Sequence, residues 1–141
     1  MDDQQIKAVL ETAKTIAVIG CSDDSERPSN QVSTYLKEKG YRIIPINPKY
    51  ASVLGEKCYE TLTQAIEDVS PLVIDIVDIF RKSEDVPPHV DEAIAHKIKV
   101  VWMQEGIEHN EAAVKARDKG LKVVMNRCLM KEHQRLMHFG V

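Results

Sequence analysis

The chain has 141 residues, enough for one domain with a sizeable core. Its 19 basic residues stand against 22 acidic ones, a formal net charge of −3, which argues against a general nucleic-acid or anionic-membrane binder. No apolar run reaches the length of a membrane span, and the acidic start, Met1 to Lys7, lacks the apolar core of a signal peptide, so a cytoplasmic location is expected. Cys21, Cys58 and Cys128 lie far apart, show no C-x-x-C pairing and read as free thiols. His89, His96, His109, His133 and His138 show no metal-ligand spacing. With no internal repeat, low-complexity tract or linker, one domain over residues 1–141 is the simplest organisation.

Ile6, Val9, Leu10 and Ala13 recur at helical spacing and predict an amphipathic helix from Asp3 to Ala13. Thr15 to Gly20 reads as a strand buried on both faces, because Ile16 to Ile19 is a short, unbroken apolar run that ends at a glycine. Val32 and Leu36 mark the inner face of a second helix from Ser29, with Gly40 just past its end. Tyr41 to Ile46 is a second strand, stopped by Asn47-Pro48, and Lys49 to Tyr59 is a connection containing Gly55. Thr61-x-x-Gln64 is a capping-box pattern ahead of Ala65, Ile66 and Val69, and Ser70-Pro71 ends that helix. Leu72 to Phe80 is a third strand, interrupted by Asp75 and Asp78. Ser83 is the predicted cap of a helix with Pro87 and Pro88 in its first turn and Val86, Val90, Ala93 and Ile94 inward. Ile98 to Met103 is a fourth strand, in which Trp102 reads as core. Asn110 is the predicted cap of a helix closing at Gly120, Leu121 to Met125 is a fifth strand, and a last helix runs from about Leu129 to His138.

Alternating strands and helices specify an α/β fold, a doubly wound parallel sheet of five strands with helices on both faces. With right-handed crossovers and a glycine turn after the first strand, the expected strand order is 3-2-1-4-5. Ligands of such sheets sit beyond the carboxyl ends of the strands. Gly20 alone is an incomplete dinucleotide fingerprint, since Ser22 and Asp23 stand where the next glycine would be. A strand, a glycine turn and a helix start nevertheless offer backbone N–H groups to a phosphate.

A site that holds an unphosphorylated ribose places an acid at the end of its second strand. Here that position reads Asn47-Pro48-Lys49, with a cation and no acid, and Arg27 and Arg81 bring further cations to strand-end loops. Taken singly, each reads as a solvated surface charge. Together they suit a ligand with an extra phosphate on its ribose: a 2′-phosphorylated nicotinamide dinucleotide, or coenzyme A with its 3′-phosphate.

Ile19-Gly20, Arg27-Pro28-Ser29, Gly40-Tyr41, Pro45-x-Asn47-Pro48, Asp78-x-Phe80-Arg81, Trp102-x-Gln104-x-Gly106 and Arg127-Cys128-x-x-x-Glu132-His133 follow one another in the chain. In this the sequence resembles the small stand-alone CoA-binding proteins, and through them the CoA-binding domain of the succinyl-CoA synthetase α subunit. The resemblance implies a Rossmann-like fold and a small-molecule ligand, coenzyme A or an acyl-CoA. It places Gly20, Cys21 and Ser22 at the pyrophosphate, Pro48, Lys49 and Tyr50 by the phosphorylated ribose, and Val77, Phe80 and Arg81 beside the adenine. The sequence departs from the family at Cys21, where a small unreactive residue is commoner, and at Asn126, where an aspartate usually precedes Arg-Cys. A cysteine at an anion site reads either as a reactive thiolate, able to form a mixed disulfide with CoA or glutathione, or as an inert buried thiol.

The synthetase keeps its phosphohistidine outside this domain, so a binding protein without catalysis is the expected function. The alternatives are an NADP-binding module, an acyl-CoA enzyme using Cys128 with Glu132 and His133, and an interaction domain with a vestigial site. On one helix His133 points well away from Cys128, so packing is the simpler account of that trio. Leu129, Met130, Leu136 and Met137 give the last helix an apolar side, for packing on the domain or for a homodimer contact.

Overall fold

Thr15–Ile19 (β1) is buried along its whole length and lies second from one edge of a parallel sheet. The computed structural model describes residues 1–137, so the predicted end of the last helix at His138 lies outside the described residues. The other elements are α1 (Asp3–Thr12), α2 (Pro28–Glu38), β2 (Arg42–Ile46), β3 (Ser52–Val53), β4 (Glu56–Lys57), α3 (Leu62–Val69), β5 (Ile76–Ile79), a short 3-10 turn (Ser83–Asp85), α4 (Val86–Ala95), β6 (Val100–Met103), α5 (Asn110–Asp118), β7 (Lys122–Val124) and α6 (Leu129–Leu136). No helix among the described residues is long and apolar enough to cross a membrane.

The alternation of side chains along each strand builds two cores. Ile16 and Val18 of β1, Ile76 of β5 and Trp102 of β6 face α1, α2 and α6, where Ile6, Leu10, Val32, Leu36 and Leu129 close the layer. Ala17, Ile19, Val77, Ile79 and Val101 face α3, α4 and α5, packed by Leu62, Ala65, Val90, Ala113 and Ala116. Met130 and Leu136 of the last helix, and Met137 just past its end, lie half-buried against the first of these cores.

The parallel α/β class is as expected, but the strand order is not 3-2-1-4-5. The sheet runs β2-β1-β5-β6-β7, which is 2-1-3-4-5 when the five sheet strands alone are counted. The connection from β2 passes through α3 on the face opposite α2. A right-handed crossover that changes face also reverses direction, so β5 lands on the far side of β1. Pro45 fits this arrangement. Its carbonyl accepts from Tyr59 N at 3.1 Å on the side away from β1. Its nitrogen, with no proton to give, faces the same outer side, as suits an edge strand.

Several local expectations shift. The third strand shortens to Ile76–Ile79 because Asp75 caps β1 instead: its Oδ2 accepts from Lys14 N (2.8 Å) and Thr15 N (3.0 Å). Thr61 Oγ1 accepts from Gln64 N at 3.1 Å, but Gln64 Oε1 reaches Glu60 N rather than closing the box on Thr61. The cap of α5 is His109, whose Nδ1 accepts from Ala112 N at 3.1 Å, not Asn110. The helix α4 starts at Val86 after the 3-10 turn, rather than at Ser83. The Lys49–Tyr59 connection contains an antiparallel hairpin, β3 with β4.

Candidate functional site

The chain leaves β1 through Gly20, which sits at φ +82°, and a Cβ there would lie 2.2 Å from Phe80 O. Only glycine lets the two strand ends, β1 and β5, approach so closely. The loop that follows is tied down by its own polar groups. Ser22 N donates to Ser29 Oγ (3.0 Å), Asn30 Nδ2 donates to Ser22 O (2.9 Å), and Asp24 N donates to Ser22 Oγ (3.0 Å). It delivers the chain to Arg27 and to Pro28 in the first turn of α2, a helix with no side-chain cap, so its N-terminal dipole faces the loop uncapped.

On the neighbouring strand end, Asn47 is buried and joins two loops. Its Nδ2 donates to Cys21 O (3.1 Å), and its Oδ1 accepts from Lys49 N (3.0 Å). Lys49 and Tyr50 are thereby turned toward Gly20. From β5 come Phe80, Arg81 and Lys82, and the 3-10 turn adds Asp85.

These ends enclose a cleft of about 450 Å³ at the carboxyl edge of β1, β2 and β5, within the size range of small-molecule sites. Of the residues marked in the sequence, Gly20, Ser22, Arg27, Asn47, Lys49, Tyr50, Phe80 and Arg81 line it. Cys21, Pro48 and Val77 do not. The Cys21 side chain turns inward, with Sγ 3.6 Å from Ser33 Oγ, and Val77 points into the core on the α3/α4 face. Pro48 is exposed at the turn and outside the lining. Pro28, Ser29, Lys82, Asp85 and Ile107 line the cleft without having been marked as site residues. Lys82 directly follows Arg81 and could have been read from its place after the strand. Asp85 is carried in by the 3-10 turn, which has no sequence signal, and Ile107 follows the turn at Gly106.

Arg27, Lys49, Arg81 and Lys82 form no ion pair with any side chain among the described residues. Asp85 is the one acid of the lining. The cleft is thus a concentration of uncompensated positive charge on a chain that is acidic overall.

The thiol of Cys21 is not the activated group its position suggested. Burial is the main cause that pushes it up to about 11, against a lowering hydrogen bond from Ser33. Nearby, Asp78 is wholly buried on β5. Desolvation pushes its carboxyl up to about 7; Gln104 Nε2 donates to Oδ1 at 2.6 Å, and Oδ2 has no partner among the described residues. Asn126, the other departure, adopts φ +58° and accepts from Gly106 N at 2.6 Å, so it locks two strand-end loops together.

Cys128, Glu132 and His133 do not assemble into a nucleophilic site. Cys128 is buried at the start of α6. Glu132 pairs with Arg127 (3.4 Å) and Arg135 (2.6 Å), and His133 Nδ1 meets Tyr35 Oη at 2.8 Å. Trp102 is fully buried, as expected, and its Nε1 donates to Arg127 O at 2.7 Å.

Comparison with known proteins gives this geometry a family. Uncharacterized protein YneT of Bacillus subtilis (strain 168) is 38% identical over 129 residues, covering 92% of each chain. The solved structure of a hypothetical protein from Pyrococcus horikoshii OT3 superposes with a TM-score of 0.90 at 41% identity, over 98% of this chain and 94% of that one. An ADP-forming acetate–CoA ligase of Archaeoglobus fulgidus is 27% identical over 121 residues, 82% of this chain but only 18% of the ligase. The family described as CoA binding domain matches residues 14–134, which takes in every strand of the parallel sheet and the whole cleft, and the chain belongs to that family.

Proposed function

We propose that the cleft binds coenzyme A or an acyl-CoA, and that the protein acts by binding rather than by catalysis. The observation that carries the reading is the set of four cations, Arg27, Lys49, Arg81 and Lys82, without ion-pair partners among the described residues around the Gly20 turn. Coenzyme A carries a diphosphate and a 3′-phosphate, and so supplies the charge that such a rim lacks. The uncapped start of α2 and the Gly20–Ser22 turn suit the diphosphate. Lys49 and Tyr50 suit the phosphorylated ribose, and Phe80 with Arg81 suits the adenine, through its ring and guanidinium faces. Family membership and the named ligase relative, whose substrate is attached to CoA, support the same ligand. The pairing of Glu132 with Arg135 and of His133 with Tyr35, with Cys128 buried, favours binding over thiol chemistry.

The test is thermal melting with CoA, NAD and NADP at matched concentrations. Ligand at a hundredfold excess over its dissociation constant stabilises by about 2.7 kcal/mol. CoA is expected to raise the melting temperature and NAD to leave it unchanged. A larger shift with NAD or NADP than with CoA overturns the reading. Acyl-CoA hydrolysis that Cys128→Ser abolishes overturns the non-catalytic part alone.

A further inference from the structure

The cleft lies beyond the carboxyl ends of the strands, and a second cavity lies at their amino ends. Lys14 immediately precedes β1, and Lys39 and Tyr41 precede β2; with Leu10, Glu11 and His133 they surround a space of about 230 Å³. Strands of five residues put roughly 16 Å between the two sites.

His133 is the unusual member of this lining. It is only 4% exposed, yet it belongs to a cavity wall. Its ring is wedged edge-on between Tyr35 and Tyr41, at centroid separations of 5.4 and 5.7 Å. Nδ1 meets Tyr35 Oη at 2.8 Å, while Nε2 has no hydrogen-bond partner among the described residues. In the tautomer with the Tyr35 phenol donating, Nδ1 accepts and carries no proton. That leaves the proton of the neutral ring on Nε2, the free corner of the imidazole. Burial, and then the charge of Lys39, hold His133 below the ordinary imidazole range, in keeping with a neutral ring. Lys14 and Lys39 have no ion-pair partner among the described residues, and Lys39 Nζ sits 5.4 Å from the centre of the Tyr35 ring, close to the histidine. Glu11 is the single acid of the wall.

We propose that this cavity is a second ligand site, separate from the cleft, that takes a small oxyanion, a carboxylate or a phosphate. The His133 Nε2–H donates to one anion oxygen, and Lys14 and Lys39 close over the charge from the rim. Leu10 and the Tyr41 ring supply an apolar wall that suits the carbon end of a short carboxylate. Oxyanion recognition by a fixed N–H donor and flexible ammonium groups needs no change of fold, because the histidine is already held from both sides by aromatic rings.

The test follows the imidazole nitrogens of His133 by NMR in the full chain, while phosphate or acetate is titrated at constant ionic strength against chloride. A saturable shift at His133 with either oxyanion is expected, and which one produces it identifies the ligand class. Lys14→Ala and Lys39→Ala, both at exposed positions, should each weaken it roughly three- to fivefold. Tyr35→Phe should move proton occupancy from Nε2 toward Nδ1 and weaken binding without touching the cavity wall. His133 signals that move no more than those of His89 and His96, or a shift that survives both lysine substitutions unchanged, overturn the site. CoA binding at the cleft is not read by this experiment, so either site can fail without the other.

Discussion

Asn47 Nδ2 donates to Cys21 O at 3.1 Å, and this bond holds the loop after β1 against the loop after β2. The same amide accepts from Lys49 N through Oδ1 at 3.0 Å, so one buried side chain sets the relative position of the glycine turn and the lysine. In Asn47→Ala, Cys21 O and Lys49 N lose these partners. Loss of a buried hydrogen bond of this kind costs about 1–3 kcal/mol. Chemical denaturation should show that loss, and calorimetry should show weaker CoA binding even though the substitution removes no charge. Unchanged stability with unchanged affinity would mean that the two loops are positioned independently.

Cys21 offers a sharper contrast between position and chemistry. It follows Gly20 at the head of a phosphate-type turn, but its side chain is fully buried against Ser33 and its thiol is pushed up to about 11. At pH 8 the folded protein should therefore leave Cys21 unmodified by diamide with CoA or glutathione, while denatured protein is modified readily. Mass spectrometry of the peptide containing Cys21 reads the outcome. Rapid modification in the native state would mean that the loop opens.

The strand-end rule made most of the cleft legible, since residues just past β1, β2 and β5 do converge. What it missed follows from side-chain parity and from strand order. Val77 and Phe80 lie an odd number of residues apart, so they face opposite sides of the sheet, and only Phe80 shares the side of Gly20 and α2. Pro45 is a signal for an edge position of β2, which agrees with the observed order, whereas the order 3-2-1-4-5 puts that strand inside the sheet. The hairpin of β3 and β4 carries Leu54 at φ +55° before Gly55 at φ +75°. A leucine in that position is the reverse of the usual Asn-Gly turn signal, so the turn was not visible in the composition.

Asp78 gives a pH dependence that its sequence position alone does not. Its carboxyl moves from an ordinary value of 3.8 up to about 7 because burial disfavours the charge. Between those two values the folded protein keeps a proton that the unfolded chain has released. Stability on this account is greatest below about pH 4, falls as pH rises by about 1.4 kcal/mol per unit, and levels off above about pH 7. Asp78→Asn has no such proton to lose. Denaturation of both proteins from pH 4 to 8 should show the wild type losing stability relative to Asp78→Asn across that window. Parallel pH profiles would mean that Asp78 is ionised in the folded protein.

Lys49 is the residue on which discrimination among CoA-like ligands should turn. Its backbone is fixed by the bond to Asn47 Oδ1, and Pro48 before it stiffens the turn. Its ammonium is exposed and has no ion-pair partner among the described residues, so a 3′-phosphate would be its first close counter-charge. A charge-assisted hydrogen bond contributes about 1.5–3 kcal/mol when sheltered and less when solvent screens it. Lys49→Ala should then weaken CoA roughly five- to thirtyfold and leave dephospho-CoA, which lacks that phosphate, nearly unaffected. Arg81 lines the same cleft and is the competing cation. If it makes the contact, the selective loss appears in Arg81→Ala and not in Lys49→Ala. Calorimetric titration of the wild type and both variants with both ligands separates the cases. Equal losses for CoA and dephospho-CoA in Lys49→Ala would show that this lysine contributes general positive charge and does not read the 3′-phosphate.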